Sequence, residues 1–240
     1  MPAYKVRIKH RKEVAEGTMA FYFEKPPGFE FKAGQFLNYT LIDPPETDAE
    51  GNLRSFSIAS APGEEDLMLA TRMRDTAFKR VLKAIPLGTE VKIDGPFGSF
   101  TLHRDASRAA VFVAGGIGIT PFRSMIVDAT RKEVSRRLLL FYSNRRPEDA
   151  AFLSELQQIE KQNPSFKFIG TMTEMAKSLE RWQGETGFID QPMLARHLSD
   201  LAAPIYYSAG PPAMVTAMSE MLLQAGVDED SIRTEDFTGY

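Results

Sequence analysis

Three glycines at the end of an apolar run are the residues of this chain best placed to meet an anion. Gly115, Gly116 and Gly118 follow Val111-Phe-Val-Ala114 and precede Ile119-Thr120-Pro121. The run holds β-formers without polar alternation, which predicts a strand buried on both faces. Glycine permits the positive φ of a tight turn, Thr120 is a candidate helix cap, and Pro121 suits the first helical position. Strand, turn and helix start together aim backbone N–H groups and the positive end of a helix dipole at one spot, where a phosphate or pyrophosphate would bind. The spacing Gly116-x-Gly118-x-x-Pro121 is one residue away from the dinucleotide fingerprint G-x-G-x-x-G, and no Gly-Lys-Ser/Thr follows as in a P-loop. The same glycines would also serve close packing of strand on helix, so the rest of the chain has to decide.

Two rhythms divide the elements that must position this turn. From Tyr4 to about Leu102 the pattern is short and β-like: Tyr4 to Lys9 alternates, and Met19 to Glu24, Gln35 to Ile42 and Leu67 to Met73 continue the series. Pro26-Pro-Gly28, Asp43-Pro-Pro45, Pro62-Gly63, Pro86-Leu-Gly88 and Gly95-Pro96 punctuate it at the intervals of an antiparallel barrel. One helix is expected inside it, Ala77 to Ala84, capped by Thr76. From about Ala109, strand-like runs at Ala110 to Ala114, Arg137 to Tyr142, Phe166 to Thr171 and Ile205 to Ala209 alternate with helix-like segments at Pro121 to Glu133, Glu148 to Lys161, Gln191 to Leu198 and Pro211 to Ala225. That alternation predicts a parallel sheet with helices on both faces. The polar stretch His103 to Arg108 marks the boundary, giving a barrel domain over 1–105 and an α/β domain over 106–240.

Composition removes several chemistries. The chain has no cysteine, which excludes disulfides, a thiol nucleophile and any cysteine-ligated iron–sulfur or zinc site within it. His10, His103 and His197 lie far apart without metal-ligand spacing, and no G-x-S-x-G elbow is present. A net charge of -3 argues against general nucleic-acid binding. No apolar run is long enough for a membrane span and the N-terminus lacks a signal-peptide core, so a soluble cytoplasmic protein is expected.

The barrel half carries Arg54-Ser-Phe-Ser-Ile-Ala-Ser60 after Gly34-Gln35-Phe36. This resembles the flavin domain of the ferredoxin–NADP reductase family, whose pattern is R-x-Y-S-x-x-S after G-Q-[YF]. Three further motifs of that family occur in order: the Gly-Gly-x-Gly-x-Thr-Pro turn, Ala209-Gly-Pro-Pro-Ala-Met214, and an ending, Glu235-Asp-Phe237, of acid-x-aromatic type. The resemblance implies an N-terminal Greek-key barrel holding FAD and a C-terminal nucleotide-binding domain for NADP(H) or NAD(H). Arg54 would then meet the flavin pyrophosphate, Phe56 would pack on the isoalloxazine in place of the usual tyrosine, and Ser57 would stand near flavin N5. Thr71, Met73, Arg74 and Thr76 would complete the flavin site, although Arg74-Asp-Thr-Ala-Phe78 departs from the family's Gly-x-x-Ser-like turn.

For the nucleotide, the resemblance assigns Gly115, Gly116, Gly118, Thr120 and Pro121 to the pyrophosphate turn, with Gly210, Pro211 and Met214 across from it. Ala209 stands where similar enzymes often have cysteine, so no thiol assists there. Ser143, Asn144, Arg145 and Arg146 end the second strand of this half near the adenosine ribose, and the arginines lean toward a 2'-phosphate. Glu235 would relay protons, and Phe237 or Tyr240 would cover the flavin ring. The activity implied is hydride transfer from NAD(P)H to flavin N5, with electrons passed to a separate acceptor such as a ferredoxin, a quinone or free flavin. Arg72, Arg74, Lys79, Arg80 and Lys83 could dock an acidic partner, although FAD contacts or a solvated helix face suit most of them better. Two alternatives stand beside this: an electron-transfer flavoprotein subunit of a larger complex, and a non-catalytic nucleotide-binding module.

Overall fold

The computed structural model describes residues 3–237. The first half contains β1 (Ala3–Ala15), β2 (Thr18–Phe23), β3 (Phe36–Leu41), β4 (Leu53–Ser57), β5 (Leu67–Arg72), α1 (Ala77–Ala84) and β6 (Glu90–Phe97). These strands form one antiparallel sheet in the order β4-β3-β6-β1-β2-β5. β1 is long enough to pair with β6 through Ala3 to Arg7 and with β2 through Ile8 to Ala15, which bends the sheet around its core of Ile8, Phe21, Phe23, Leu37 and Ile93. The two outer strands meet where the Ala59 N–H donates to the Met68 carbonyl at 2.7 Å, so the sheet curls into the expected barrel. α1 covers one end. Its bounds and its cap at Thr76 are those read from the sequence, because apolar spacing and cap are both local signals.

The second half contains β7 (Ala110–Gly115), α2 (Ile119–Arg131), β8 (Leu138–Asn144), α3 (Leu153–Gln162), β9 (Phe166–Met172), β10 (Glu185–Thr186), α4 (Gln191–His197), β11 (Ile205–Gly210), α5 (Pro212–Gln224) and β12 (Ile232–Asp236). The sheet is parallel throughout, in the order β10-β9-β8-β7-β11-β12. Alternate residues of β7 face opposite cores. Phe112 and Ala114 pack with Phe122, Met125 and Leu156 of α2 and α3, while Val111 and Val113 pack with Leu194, Met218 and Leu222 of α4 and α5. The first of these cores continues without a break into Ala59, Met68 and Ala70 of the barrel. Strand order reverses between β7 and β11, and such a switch point opens a crevice at the carboxyl ends of the strands. Gly115 and Gly210 end the two strands that border it.

Two local readings need correction. α2 starts at Ile119, after a turn of 3₁₀ helix over Gly116–Gly118, so Thr120 is not the cap. Its hydroxyl donates back to the Ile117 carbonyl at 3.1 Å, and Pro121 falls in the first turn rather than at the first position. α3 starts at Leu153 and not Glu148, because Phe152 takes a left-handed conformation at φ 62° that no α-helix can pass through. His103 is a buried packing residue: its backbone N–H donates to the Tyr207 hydroxyl at 2.8 Å, and its ring Nδ1 lies 2.9 Å from the same oxygen.

Candidate functional site

Two cavities lie on either side of the Gly116–Thr120 turn. The first, about 600 Å³, is enclosed by β4, β5 and α1 of the barrel and by Ile117, Thr120 and Phe237 of the second half. Arg54, Phe56, Ser57, Thr71 and Thr76 all line it, as expected. Phe56 lies between Tyr39 and Phe78, each 5.9 Å away between ring centres, which fixes its ring at the cavity wall. Ser57 is 4% exposed and its Oγ has no hydrogen-bond partner. An orphaned hydroxyl at a cavity wall fits a ligand that carries its own donor or acceptor. Thr76 Oγ1 accepts the Lys79 N–H at 3.4 Å, so its hydroxyl is already occupied in capping α1. Met73 and Arg74 do not line the cavity: Met73 packs against the barrel core and Arg74 is exposed.

The cavity wall carries three cations, Arg54, Arg72 and Lys79, and one carboxylate, Glu50, which pairs with Arg54 at 2.9 Å. Burial, with the nearby charges of Arg74 and Arg54, lowers the Lys79 ammonium to about 8, and its Nζ donates to the Arg72 carbonyl at 2.8 Å. An anionic ligand would restore its full charge.

The second cavity, about 520 Å³, opens at the switch point. Gly115, Gly116, Ser143, Asn144, Arg145, Pro211 and Met214 line it, with Phe188, Ile189 and Met218 making a mostly apolar wall. The turn demands glycine twice. Gly116 has φ 51°, and a Cβ on Gly118 would stand 2.2 Å from the Ala209 carbonyl oxygen. Gly118 therefore lets α2 approach β11 and does not itself line the cavity. Asn144 is 6% exposed, and neither atom of its carboxamide has a hydrogen-bond partner. Buried amides are rarely left so, and this one faces a space of ligand size.

Of the two arginines expected at a 2'-phosphate, the structure brings one to the cavity. Arg145 lines it with its side chain 68% exposed and Nε 4.0 Å from Glu174. Arg146 points away, to Asp149 at 2.9 and 3.0 Å and to Glu16 of the barrel at 3.0 Å, and serves as a strap between the halves. Arg72 is the residue whose role the sequence left open among partner docking, an FAD contact and a solvated face. It ends β5 and lines both cavities. Its position at the carboxyl end of the strand before the capped helix was the available signal.

Glu235 lies on β12 opposite Ala209 of β11 and lines neither cavity. Burial raises its carboxyl to about 7, and its Oε2 has no hydrogen-bond partner. Two residues on, Phe237 reaches the first cavity while its N–H donates to the Gly210 carbonyl at 2.9 Å. Tyr240, expected to share the covering role, lies outside the described residues.

Residues 112–220 match the model of the oxidoreductase NAD-binding domain. The fold that carries this domain is that of a ferredoxin–NADP reductase from Neisseria gonorrhoeae with bound FAD and NADP, at TM-score 0.79 and 20% identity over 98% of each chain. Residues 112–220 thus belong to the oxidoreductase NAD-binding domain family, set in a ferredoxin–NADP reductase-like fold. Another structure of this fold, a ferredoxin reductase in carbazole 1,9a-dioxygenase, is 25% identical at TM-score 0.80 over 99% of the chain and 70% of its own length. Among curated relatives, one subunit of the Na(+)-translocating NADH-quinone reductase of Methylococcus capsulatus is 33% identical over 203 residues, 78% of this chain and 49% of that protein. The chain thus spans about half the length of the curated relatives it matches. Among the described residues, no helix is long and apolar enough to cross a membrane.

Proposed function

We propose that this chain is an FAD-dependent NAD(P)H oxidoreductase that takes electrons from a pyridine nucleotide and passes them to a separate acceptor. The observation that carries the reading is the meeting of the two cavities across one turn, with Gly116 lining one, Ile117 and Thr120 lining the other, and Arg72 lining both. The barrel over 1–105 would hold the flavin and 106–240 the nucleotide. Bound FAD supplies hydride acceptance followed by onward electron transfer. The chain's own residues do the rest. Arg54, Arg72 and Lys79 offset phosphate charge, Phe56 and Phe237 enclose the ring system, and the Ser57 hydroxyl offers its unused hydrogen bond at the cavity wall. The Gly116 turn and the start of α2 seat a pyrophosphate, and Asn144 and Ser143 meet the nucleoside beyond it. Protonated near neutral pH, Glu235 would hold a proton beside the strand end where the two ligands approach.

The test is optical. Pure protein, as isolated or after reconstitution with FAD, should show a flavin spectrum that bleaches when NADH or NADPH is added without oxygen. A colourless protein that cannot be reconstituted would sink the reading and favour a nucleotide-binding module. For the acceptor, the lack of cysteine places any iron–sulfur carrier, ferredoxin-like or otherwise, outside residues 1–240. The likeness to one component of an NADH-quinone reductase supports the second reading, an electron-transfer flavoprotein within a complex. Such a protein would reduce artificial acceptors but no ferredoxin.

Nucleotide choice turns on Arg145. Arg145→Ala should raise KM for NADPH by about tenfold, the worth of one charge-assisted contact, while NADH changes little. Arg146→Ala should leave the ratio alone, since its guanidinium is committed to Asp149 and Glu16. Steady-state kinetics with both nucleotides decides; equal effects of Arg145→Ala on the two would remove the assignment.

A further inference from the structure

The two features of the barrel that attract an anion are bridged by a carboxylate of the protein itself. Asp48 lies in the connection between β3 and β4, an acidic stretch that also carries Glu46 and Glu50. Its Oδ1 accepts Arg54 Nη2 at 3.0 Å, and its Oδ2 accepts the N–H of Ala77, the first residue of α1, at 3.1 Å. Glu50 adds a second carboxylate to Arg54 Nη2 at 2.9 Å. Arg54 Nη1 donates to the carbonyls of Glu50, Gly51 and Leu53 at 2.9, 3.1 and 2.7 Å. Glu46 accepts both Nε and Nη2 of Arg80, which ties the same connection to α1. Three of these residues, Glu50, Leu53 and Arg54, line the flavin cavity, as does the α1 cap Thr76, whereas Asp48 reaches it only through Arg54 and the start of α1.

A guanidinium beside a helix N-terminus is a grip for a phosphate. One oxygen on each is also the arrangement Asp48 makes, with the same sign of charge. Desolvation opposes that charge, yet the hydrogen bonds from Glu50 N–H, Arg54 and Ala77 N–H outweigh it and hold the Asp48 carboxyl below its ordinary value. The carboxylate is therefore ionised at neutral pH, and with the nearby Glu50 it leaves Arg54 little donor capacity for a ligand. An ion pair this open to solvent is weak enough to yield to a phosphate.

We propose that Asp48 stands in the flavin-phosphate seat, so that flavin binds by displacing it and is held as an exchangeable ligand rather than a permanently retained one. This rests on the flavin reading above. Arg54 is released to the incoming phosphate only when the connection between β3 and β4 moves aside, so each flavin that enters replaces ionic hydrogen bonds already made. The gain is the difference between two similar contacts, and affinity falls accordingly.

Titrating FAD into the whole chain, followed by quenching of flavin fluorescence, tests this in the wild type, Asp48→Asn and Asp48→Ala. Asp48→Asn keeps the shape and can still accept from Ala77 while losing the charge, so it covers the case in which Asp48→Ala frays α1. Asp48→Asn should bind FAD about tenfold tighter, the size of one ionic contact no longer displaced, and should retain it through gel filtration where the wild type sheds it. Arg54→Ala should cost more affinity in the Asp48→Asn background than alone, because only there has the guanidinium lost one of its two carboxylates. Wild type that binds FAD together with Asp48 variants of equal or weaker affinity would overturn the proposal and leave the flavin reading standing. Absence of binding by wild type and both variants overturns the flavin reading, and this proposal with it.

Discussion

Replacing Arg123 with alanine should lower the free energy of unfolding by about 2–3 kcal/mol, because a buried cation is lost from between two partly exposed carboxylates and a backbone carbonyl. Arg123 comes from α2 and is 6% exposed, yet it bonds outside its own half. Nη1 donates to the Ala59 carbonyl at 2.8 Å and to Glu64 at 2.9 Å, both in the barrel, while Nε and Nη2 reach Glu155 of α3 at 2.8 and 2.5 Å. The plane of the guanidinium lies 5.2 Å from the Phe152 ring centre. Beside it Ser124 Oγ donates to the Ser60 carbonyl at 2.6 Å. These contacts hold the start of α2, and with it Ile117 and Thr120, against the barrel cavity. Arg123→Lys keeps the charge but loses the fork that spans Glu64, Glu155 and Ala59, so it should fall between wild type and alanine. Urea unfolding measures both. A midpoint for Arg123→Ala indistinguishable from wild type would show that this ion-pair network adds nothing to the hold between the halves. If the proposed reaction holds, the alanine variant should also lose rate of flavin reduction more than nucleotide affinity, since each half keeps its own ligand contacts while their mutual placement loosens.

Glu235→Gln should change how stability depends on pH, and the direction follows from burial. The carboxyl has an ordinary value of 4.5 and is raised to about 7 in the fold. Folding therefore favours the protonated form. The contribution is fully present below the unfolded value and is lost as pH rises through about 7, a total near 3 kcal/mol. Glutamine has no charge to bury, so the variant should be more stable than wild type well above pH 7 and should match it in acid. Denaturant unfolding across that range reads the difference. Parallel stability curves for the two proteins would mean that Glu235 finds a partner in solution. The same titration bears on the proposed role: if the protonated carboxyl supports the reaction, wild-type turnover should decline above about pH 7, and the glutamine variant should lose that dependence.

Much of the architecture was legible because it is written in neighbouring residues. The Ala77 to Ala84 helix and its Thr76 cap, the unalternating Ala110 to Ala114 strand and the glycines after it are set by spacing within one or two turns of chain. The order of motifs placed a flavin-type barrel before a nucleotide-type sheet, and residues 112–220 match accordingly. What could not be read locally was the company kept by long charged side chains. Arg146 is as basic as Arg145 in the sequence, yet Glu16, 130 positions away, and Asp149 turn it aside. Arg54 carries the motif, but Asp48 and Glu50 decide what its guanidinium touches. Arg72 became a site residue only because β5 ends where the two halves meet.

Backbone periodicity, turns and caps depend on local sterics and hydrogen bonds, so the sequence alone determined the two-part fold, the position of the glycine turn and the set of groups able to meet phosphates. Tertiary structure alone decided which of those groups remain available, that Thr120 does not cap its helix, and that Glu235 is buried enough to hold a proton near neutral pH. Burial and ion pairing are set by segments far apart in the chain, and only the packing of one half on the other brings them together.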